Sequence, residues 1–357
     1  MPHDKGKSLR ATMQDVAIAA GVGVATVDRV LNSRAPVREA TAWRVLEAAQ
    51  RVGYHGAALM QQRLLSAGKG AARTLGFILQ INHDAFYTAL AQALHDAAAA
   101  QTRWRCRVVV RVVDALKPAD MVDAMHELAK QVDGLGVVAG DHPLVNQAVT
   151  ALRASGCPTV ALLSDLSAPD RVGYVGLDHR KTGRTAAWCI SRGLAQPAGE
   201  VAVLVGSHRF IGHELTEMSL RSYLREHVPD VQVLESMVSR EDAAQSYEAT
   251  LAILGRHPDL VGLYLPGGGT EGAIHALQEA ATQGQHVVTV ATELTEAHRV
   301  ALQNGLLDMV IGTPRRALAD AAISLLCESL DDEDGNAIRV APRLVQLPFE
   351  LQVPESV

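Results

Sequence analysis

From Thr74 onward, apolar runs of strand length alternate with segments of helical periodicity, and this alternation constrains the fold more than any other feature. Examples of the runs are TLGFILQI at 74–81 and GLGVVA at 134–139. Continuous apolar strands are typical of parallel sheets that helices cover on both faces. About ten such strands are too many for one small sheet. Because the pattern restarts near Arg171 with a strand at Tyr174–Leu177, we predict two αβα lobes.

The predicted body ends on a single strand near Leu344–Glu350. In open α/β sheets, ligands bind beyond the carboxyl ends of the strands. With two lobes facing each other, the cleft between them is the predicted ligand site. Hinge closure of the lobes is the predicted motion.

Residues 12–32, TMQDVAIAAGVGVATVDRVLN, have the pattern of two short helices around a glycine turn. Thr12 and Asp15 have the spacing of a capping box, and Gly21 provides the conformational freedom to leave the first helix. A third amphipathic helix is predicted over Glu39–Val52. Helices this short cannot bury a core alone, so we predict a three-helix helix-turn-helix headpiece. The second helix of such a unit lies in the major groove of DNA.

The charge distribution supports contact with DNA at this end of the chain. Residues 1–73 contain 11 Lys/Arg and 5 Asp/Glu, whereas the whole chain has a net charge of −6. A basic head on an acidic body is the pattern expected when phosphate contacts are confined to one end. The alternative, a small helical bundle with no role in nucleic-acid binding, leaves this distribution unexplained.

The sequence argues against several other classes of protein. Its four cysteines are scattered without a CxxC pair, which disfavours zinc and thioredoxin-type sites and fits a reducing cytoplasm. We find no signal-peptide pattern and no apolar run long enough to span a membrane. The GxSxG and HExxH motifs are absent, and the histidines show no metal-binding spacing. We therefore expect a cytoplasmic protein that is not an enzyme and has no cofactor or bound metal.

The segments DVAIAAGVGVATVDRVLN and RVLEAAQRVGY resemble the LacI/GalR family of bacterial transcription regulators. The body, including SDLSAPDRVGYVGLDHRKTGRTAAW, resembles the periplasmic-binding-protein-like domain of a branch close to ribose-type binding proteins. This resemblance implies a DNA-binding headpiece at 1–60, a hinge or linker at 61–73 and a two-lobed effector-binding and dimerisation domain at 74–357.

The resemblance also implies how such a protein works. A homodimer would bind a pseudo-palindromic operator in double-stranded DNA, and a small molecule in the cleft would control it by allostery. We expect a repressor, although the sequence leaves the sign of the ligand effect open. A transporter's sugar-binding protein would share the body but would need a secretion signal and no basic headpiece. An enzyme that uses the cleft is the least favoured alternative.

Several residues correspond to DNA-contacting positions of the family. Arg29 is suited to a bidentate contact with guanine, although a phosphate contact or a plain surface charge would also fit. Asp28 stands where the family commonly has serine, and we expect it to pair with Arg29 or another cation. The headpiece contacts implied by the resemblance are Thr12, Val24, Ala25, Thr26, Arg29 and Asn32.

The linker departs from the family pattern. The Pro-Asn pair that often begins a hinge helix is missing, and Arg63 falls near the position of a leucine that wedges into the minor groove. Leu64 or Leu65 would take that role if the register shifts by a residue or two. We include Arg63 among the predicted DNA contacts and leave the hinge helix open.

Ligand candidates are the polar and aromatic residues at strand ends, because such groups bind the hydroxyls and C–H faces of sugars. Each alone is more often a solvated loop residue, and their shared position is the argument. One polar group is missing, since Pro266-Gly267-Gly268-Gly269 replaces the family's Asn-Asp pair. We expect a neutral sugar or polyol, with Arg209 leaving a phosphorylated effector open. The candidates are Asp84, Phe86, Tyr87, Asp141, Ser164, Asp178, His208, Arg209, Glu293 and Thr313.

Overall fold

The computed structural model describes residues 11–32, 37, 39–61, 72–80, 85–114, 116–281, 287–333 and 341–357. The chain divides into two compact units, one formed by 1–72 with 100–106 and the other by 73–99 with 107–357. Two predicted site residues, Arg63 and Asp84, and most of the predicted linker lie outside the described residues. None of the described helices is both long and apolar enough to cross a membrane.

The first unit contains the three predicted helices, α1 Met13–Ala20, α2 Val24–Asn32 and α3 Glu39–Arg51. The predicted capping box is confirmed, because the Thr12 hydroxyl accepts from the Asp15 N–H and the Asp15 carboxylate accepts from the Thr12 N–H. Gly21 ends α1 in the left-handed region with φ +63°. That conformation is open to glycine at little cost and allows α2 to start after a short turn.

The core of the first unit forms where the three helices meet. Its largest buried side chains include Val16, Val27, Trp43, Leu46 and Met60. Met60 belongs to a helical segment at 57–61, and its 1% exposure ties this segment to the headpiece core. The apolar stripes of α1 and α2 therefore face inward, which leaves the opposite side of α2 in solvent.

The second unit contains two sheets, each with helices around it, and the predicted α/β architecture is confirmed. Its helices are α4 Ala85–Ala100, α5 Pro118–Ala129, α6 Pro143–Ala154, α7 His179–Gly193, α8 Ile211–His227, α9 Ala243–Arg256, α10 Thr270–Ala281, α11 Glu296–Gln303 and α12 Arg315–Glu333. Its strands are β1 Ala72–Gln80, β2 Arg105–Val113, β3 Gly134–Val137, β4 Thr159–Leu162, β5 Gly173–Leu177, β6 Gly199–Val205, β7 Val231–Val233, β8 Met237–Val238, β9 Leu260–Leu265, β10 Val288–Thr292, β11 Met309–Gly312, β12 Arg343–Leu347 and β13 Glu350–Gln352.

The sheet order defines the two lobes. The sheet of lobe 1 has the order β12-β5-β4-β3-β1-β2, and the sheet of lobe 2 has the order β13-β11-β10-β9-β6-β7, with β8 also paired to β6. The chain passes between the lobes after β5, after β11 and after β12. Helix α7 packs on β9, β10 and β11, and α12 packs on β3, β4, β5 and β12. The carboxyl ends of most parallel strands therefore point to the region between the lobes.

Two strand assignments from the sequence are wrong. The second lobe does not begin with Tyr174–Leu177, because β5 pairs in parallel with β4 and belongs to lobe 1. The predicted last strand near Leu344–Glu350 is two strands: β12 pairs with β5 in lobe 1, and β13 pairs antiparallel with β11 in lobe 2. Pro348 lies between them, and a residue without an N–H interrupts a hydrogen-bonded ladder.

Candidate DNA-binding surface and ligand cleft

The solvent side of α2 carries the predicted base-reading residues. Ala25, Arg29 and Asn32 are exposed, and their spacing places them on one helix face. Val24 and Thr26 are half-buried at the edges of this face. Among the described residues, Arg29 has no hydrogen-bond or ion-pair partner. Its five N–H donors are therefore available to an external acceptor.

Two other predicted DNA contacts already have partners within the headpiece. The Thr12 N–H and hydroxyl both donate to Asp15 Oδ2, over 2.8 and 2.7 Å. A phosphate would have to displace this carboxylate to use those donors. Asn32 Nδ2 donates to Asp28 Oδ1 over 2.6 Å. The amide of Asn32 therefore gives Asp28 a partner four residues along the same helix.

A cavity lies between the lobes at the carboxyl ends of the strands. Residues from both lobes form its wall, and the lining includes four Phe or Tyr rings and several hydroxyl groups. Five predicted ligand residues belong to the lining, namely Phe86, Tyr87, Ser164, Glu293 and Thr313. The other lining residues are Val138, Leu163, Leu177, His179, Thr182, Phe210, Gly212, His213, Thr216, Glu241, Tyr264, Pro266, Gly267, Gly268, Thr270 and Thr292. No Lys or Arg occurs in this described lining.

Backbone strain is concentrated at the cavity. Among the described residues, the non-glycine positions with positive φ are Leu163, Arg240, Glu241 and Glu293, at +62°, +54°, +61° and +63°. Leu163, Glu241 and Glu293 line the cavity, and Arg240 directly precedes Glu241. Such conformations cost roughly 1–3 kcal/mol each and cluster at ligand clamps and active sites. Their position supports the cleft as the functional site of the second unit.

Glu293 is held in place from two sides. Its carboxylate accepts from the Thr313 hydroxyl over 2.5 Å and from the Thr313 N–H over 2.9 Å. Its carbonyl oxygen lies 2.6 Å from His298 Nδ1. A carbonyl can only accept, so Nδ1 carries the proton, and Nε2 accepts from the Thr270 hydroxyl over 2.6 Å. This chain of contacts fixes both the backbone and the side chain of Glu293.

Burial keeps the two cavity histidines neutral. Desolvation lowers the pKa of His179 below its ordinary value. Desolvation, assisted by the neighbouring His179, lowers the pKa of His213 to about 3. The His179 Nε2 lies 2.8 Å from the carbonyl oxygen of Leu163, which requires a proton on Nε2. The cavity therefore presents two carboxylates and no described cationic side chain.

Four predicted ligand residues do not line the cavity, because their groups are used elsewhere. Asp178 accepts from the N–H groups of Arg180 and Lys181 as the N-cap of α7. His208 Nε2 lies 3.5 Å from the Ser236 hydroxyl. Arg209 Nη1 donates to the carbonyl oxygen of Leu116 over 3.2 Å.

The fourth, Asp141, is held by lobe 1. Its Oδ1 accepts from Asn146 Nδ2 and the Ser167 N–H, both over 2.9 Å. Burial alone would raise its pKa, but these hydrogen bonds hold the pKa of Asp141 below its ordinary value. Its N–H donates across the cleft to the carbonyl oxygen of Arg209 over 2.7 Å. The Gly212 N–H similarly reaches the Ser164 hydroxyl over 3.2 Å. Asp141 and Ser164 therefore join the two lobes.

The sequence interpretation missed several cavity residues, chiefly Tyr264, Glu241, His179 and His213. Tyr264 could have been found, because it is a rare aromatic residue near the end of a buried strand. Glu241 carries no comparable signal, since the strand before it, β8, has only two residues. His179 and His213 lie in the first turn of α7 and α8, where the sequence pattern indicates only helix starts.

Both parts of the chain match known protein families. Residues 12–56 match the family described as bacterial regulatory proteins, lacI family, and residues 75–334 match the periplasmic binding protein domain. Catabolite control protein A of Priestia megaterium is 29% identical over 173 residues, which cover 48% of this chain and 49% of that protein. HTH-type transcriptional regulator GalS of Salmonella typhimurium is 27% identical over 192 residues, covering 47% and 54%. These two alignments span about half of each relative.

A longer alignment covers nearly the whole chain. Catabolite control protein A of Staphylococcus epidermidis is 23% identical over 332 residues, covering 91% of this chain and 94% of that protein. Among solved structures, a solute-binding protein of an ABC transporter from Agrobacterium vitis, with bound α-D-tagatopyranose, superposes with a TM-score of 0.69. It is 20% identical, and the match covers 79% of this chain and 95% of that one. An Actinobacillus succinogenes solute-binding protein with bound D-allose gives 0.68 at 17% identity, covering 79% and 98%. At these identities the likeness concerns the fold alone.

Proposed function

The chain belongs to the LacI/GalR family of bacterial transcription regulators, and from this premise we propose that it is a sequence-specific repressor controlled by a small neutral ligand. It acts in the cytoplasm as a homodimer on a pseudo-palindromic operator, with two-fold protein symmetry matching the DNA. Residues 1–60 bind DNA, residues 61–73 link the two parts, and residues 74–357 bind the ligand and dimerise. The family relationship favours a regulator over an enzyme.

The observation that supports the DNA-binding half most directly is the face formed by Ala25 and Arg29 on α2. This face is exposed although the rest of the helix packs on the headpiece core. A guanidinium without a partner among the described residues can form two parallel hydrogen bonds with guanine, worth about 1–3 kcal/mol of discrimination. Base reading by Arg29 is our proposal for the origin of sequence preference.

The cavity lining supports a neutral polyol as the effector. Aromatic rings from Phe86, Tyr87 and Phe210 can cover the C–H faces of a sugar ring, and the carboxylates can accept from its hydroxyls. A phosphorylated ligand would meet the carboxylates of Glu241 and Glu293 with no described Lys or Arg in the wall. Arg209, the cation that kept this alternative open, is directed to the carbonyl of Leu116.

The DNA-binding proposal can be tested by selecting operators from a random double-stranded library with the full chain and with Arg29→Ala. We expect the parent to select a two-fold symmetric sequence. The variant should lose preference at one base pair in each half-site, by about 1–3 kcal/mol. Arg44→Ala is the matched control, since Arg44 is also exposed but lies on α3. The same loss in both variants would reduce Arg29 to a general phosphate contact.

The effector proposal can be tested by measuring release of the selected operator in the presence of neutral sugars. We expect one of them to weaken DNA binding by the parent chain, and Tyr87→Ala to lose this response while binding DNA normally without sugar. Tyr223→Ala is the control, because Tyr223 contacts Arg184 outside the cavity. A normal sugar response of Tyr87→Ala would place the ligand elsewhere.

A further inference from the structure

The loop that directly follows β9, at residues 266–269, contains no polar side chain. In lobe 2, β10 is followed by Glu293 and β11 by Thr313, whereas β9 is followed by Pro266, Gly267 and Gly268. Within β9 itself, Tyr264 is fully buried and lines the cavity. Its hydroxyl has no hydrogen-bond partner among the described residues. A buried hydroxyl without a partner costs free energy, so its retention in the wall of a cavity points to a ligand.

The glycines after β6 and β9 make room for a carboxylate from another loop. A Cβ atom on Gly206 would overlap Glu241 Oε1, and one on Gly267 would lie 2.8 Å from the same oxygen. The Gly268 N–H donates to Glu241 Oε2 over 3.0 Å. The left-handed backbone of Glu241 directs its side chain into this space. The carboxylate next to the glycine loop after β9 therefore comes from Glu241, in the segment that follows β8.

Tyr264 and the two carboxylates have complementary roles toward a hydroxylated ligand. Burial, and then the charge of Glu293, raise the pKa of Tyr264, so its hydroxyl remains a donor at neutral pH. Carboxylates only accept hydrogen bonds, so Glu241 and Glu293 can accept from ligand hydroxyls while the Tyr264 hydroxyl donates to a ligand oxygen. A hydroxyl group both donates and accepts, which matches this combination, whereas a phosphate would face two negative charges.

We propose that Tyr264, together with Glu241, forms a hydroxyl-binding subsite in lobe 2 that selects a neutral polyhydroxylated ligand. This inference rests on the proposed function, because it concerns the effector cavity. It identifies Tyr264 as a residue that determines specificity. The subsite rejects analogues that lack one hydroxyl, since they would leave the buried phenol without a partner.

The test begins with calorimetric titration of the full chain with a panel of neutral compounds: D-tagatose, D-allose, D-arabinose, D-fucose, D-galactose and myo-inositol, with D-ribose 5-phosphate as the charged comparison. The tightest neutral binder is then titrated into Tyr264→Phe, Glu241→Gln and the control Tyr247→Phe. Tyr247 donates to Glu279 and is not among the cavity residues. We expect about tenfold weaker binding for the first two variants and no change for the control.

Deoxy analogues of that sugar make the assignment specific. The analogue that lacks the hydroxyl facing Tyr264 should bind the parent about tenfold more weakly than the sugar does. Tyr264→Phe and the parent should bind this analogue with equal affinity, because the variant lacks the phenol hydroxyl that would pair with the missing ligand hydroxyl. Unfolding of each variant without ligand checks that the fold is intact.

The outcomes separate the two proposals. If a neutral sugar binds and releases DNA but Tyr264→Phe binds it as tightly as the parent, the subsite is wrong and the proposed function stands. If only the phosphorylated sugar binds, or if no panel compound binds, both the subsite and the neutral effector are overturned. Equal weakening in the Tyr247→Phe control would also overturn the assignment to Tyr264.

Discussion

Replacing Thr313 with valine tests the contacts that hold Glu293 in its strained conformation. The Thr313 hydroxyl donates to Glu293 Oε1 over 2.5 Å, and Thr313 is 4% exposed. Valine preserves the side-chain shape and the backbone N–H, which donates to Oε2 over 2.9 Å, but removes the hydroxyl. Hydrogen bonds to charged groups contribute about 1.5–3 kcal/mol. We therefore expect the free energy of unfolding to fall by about 2 kcal/mol.

Thr250→Val is the matched control because it removes a buried hydroxyl that donates to a neutral acceptor. The Thr250 hydroxyl donates to the carbonyl oxygen of Ser246 over 2.7 Å within α9. We expect this change to cost about 1 kcal/mol or less. Urea unfolding followed by far-UV circular dichroism measures both, and 2 kcal/mol corresponds to a midpoint shift of about 0.7–1 M. Equal losses in the two variants would refute the argument from charge.

Three further predictions concern stability. Burial lowers the pKa of His213 to about 3, so between about pH 3 and 6.5 the folded state binds fewer protons than the unfolded state. The free energy of unfolding should therefore fall as the pH drops below about 6.5, by at most about 2 kcal/mol at about pH 5. Part of the ring is reachable from the cavity, which makes this an upper limit, and His213→Gln should flatten the pH profile of the melting temperature. Tyr264→Phe should raise the stability of the ligand-free protein by about 1 kcal/mol, because it removes a buried hydroxyl without a partner; a lower urea midpoint would show that the hydroxyl is already bonded. Asp178→Ala should lower stability by about 1 kcal/mol through loss of the α7 cap, and an unchanged midpoint would contradict that role.

The headpiece could be predicted from sequence nearly residue by residue because its signals are local. The capping box and the turn at Gly21 each depend on residues within a few positions of one another. The inward stripe, including Val27 and Leu46, follows from helical periodicity alone. The partner of Asp28 was harder to predict, because its charge suggested a cation, whereas the structure shows its Oδ1 accepting from the amide of Asn32.

The sheets show where local pattern stops being informative. The apolar run of β5 predicts a buried strand, but a buried strand would look the same in either lobe. The sequence pattern therefore could not show that β5 pairs with β4 in lobe 1. The ligand residues divide in the same way. Phe86 and Glu293 come after β1 and β10, which the apolar pattern predicts. Glu241 follows a two-residue strand, and its side chain fits only because glycines distant in sequence leave space for it. Asp178 follows β5 directly and Asp141 lies in the loop after β3, and cap and loop contacts use their oxygens.

The strained residues of the cleft should affect the affinity for sugar without affecting the coupling between sugar binding and DNA binding. Leu163 and Glu293 have left-handed backbones, and each carbonyl oxygen is held by a histidine ring, that of His179 and of His298 respectively. Groups fixed before the ligand arrives need no ordering when it binds, which favours affinity. Coupling to DNA, in contrast, depends on the difference in ligand affinity between two arrangements of the lobes.

His298→Leu should therefore loosen Glu293 and weaken sugar binding about tenfold, while the fold change in operator affinity at saturating sugar stays the same. Operator titrations with and without saturating sugar measure that fold change, and calorimetry measures the sugar affinity. A reduced fold change at saturation would mean that the backbone at Glu293 itself differs between the two arrangements. In that case the strain at Glu293 would belong to the switch between the arrangements, because only a feature that differs between two states can shift the balance between them.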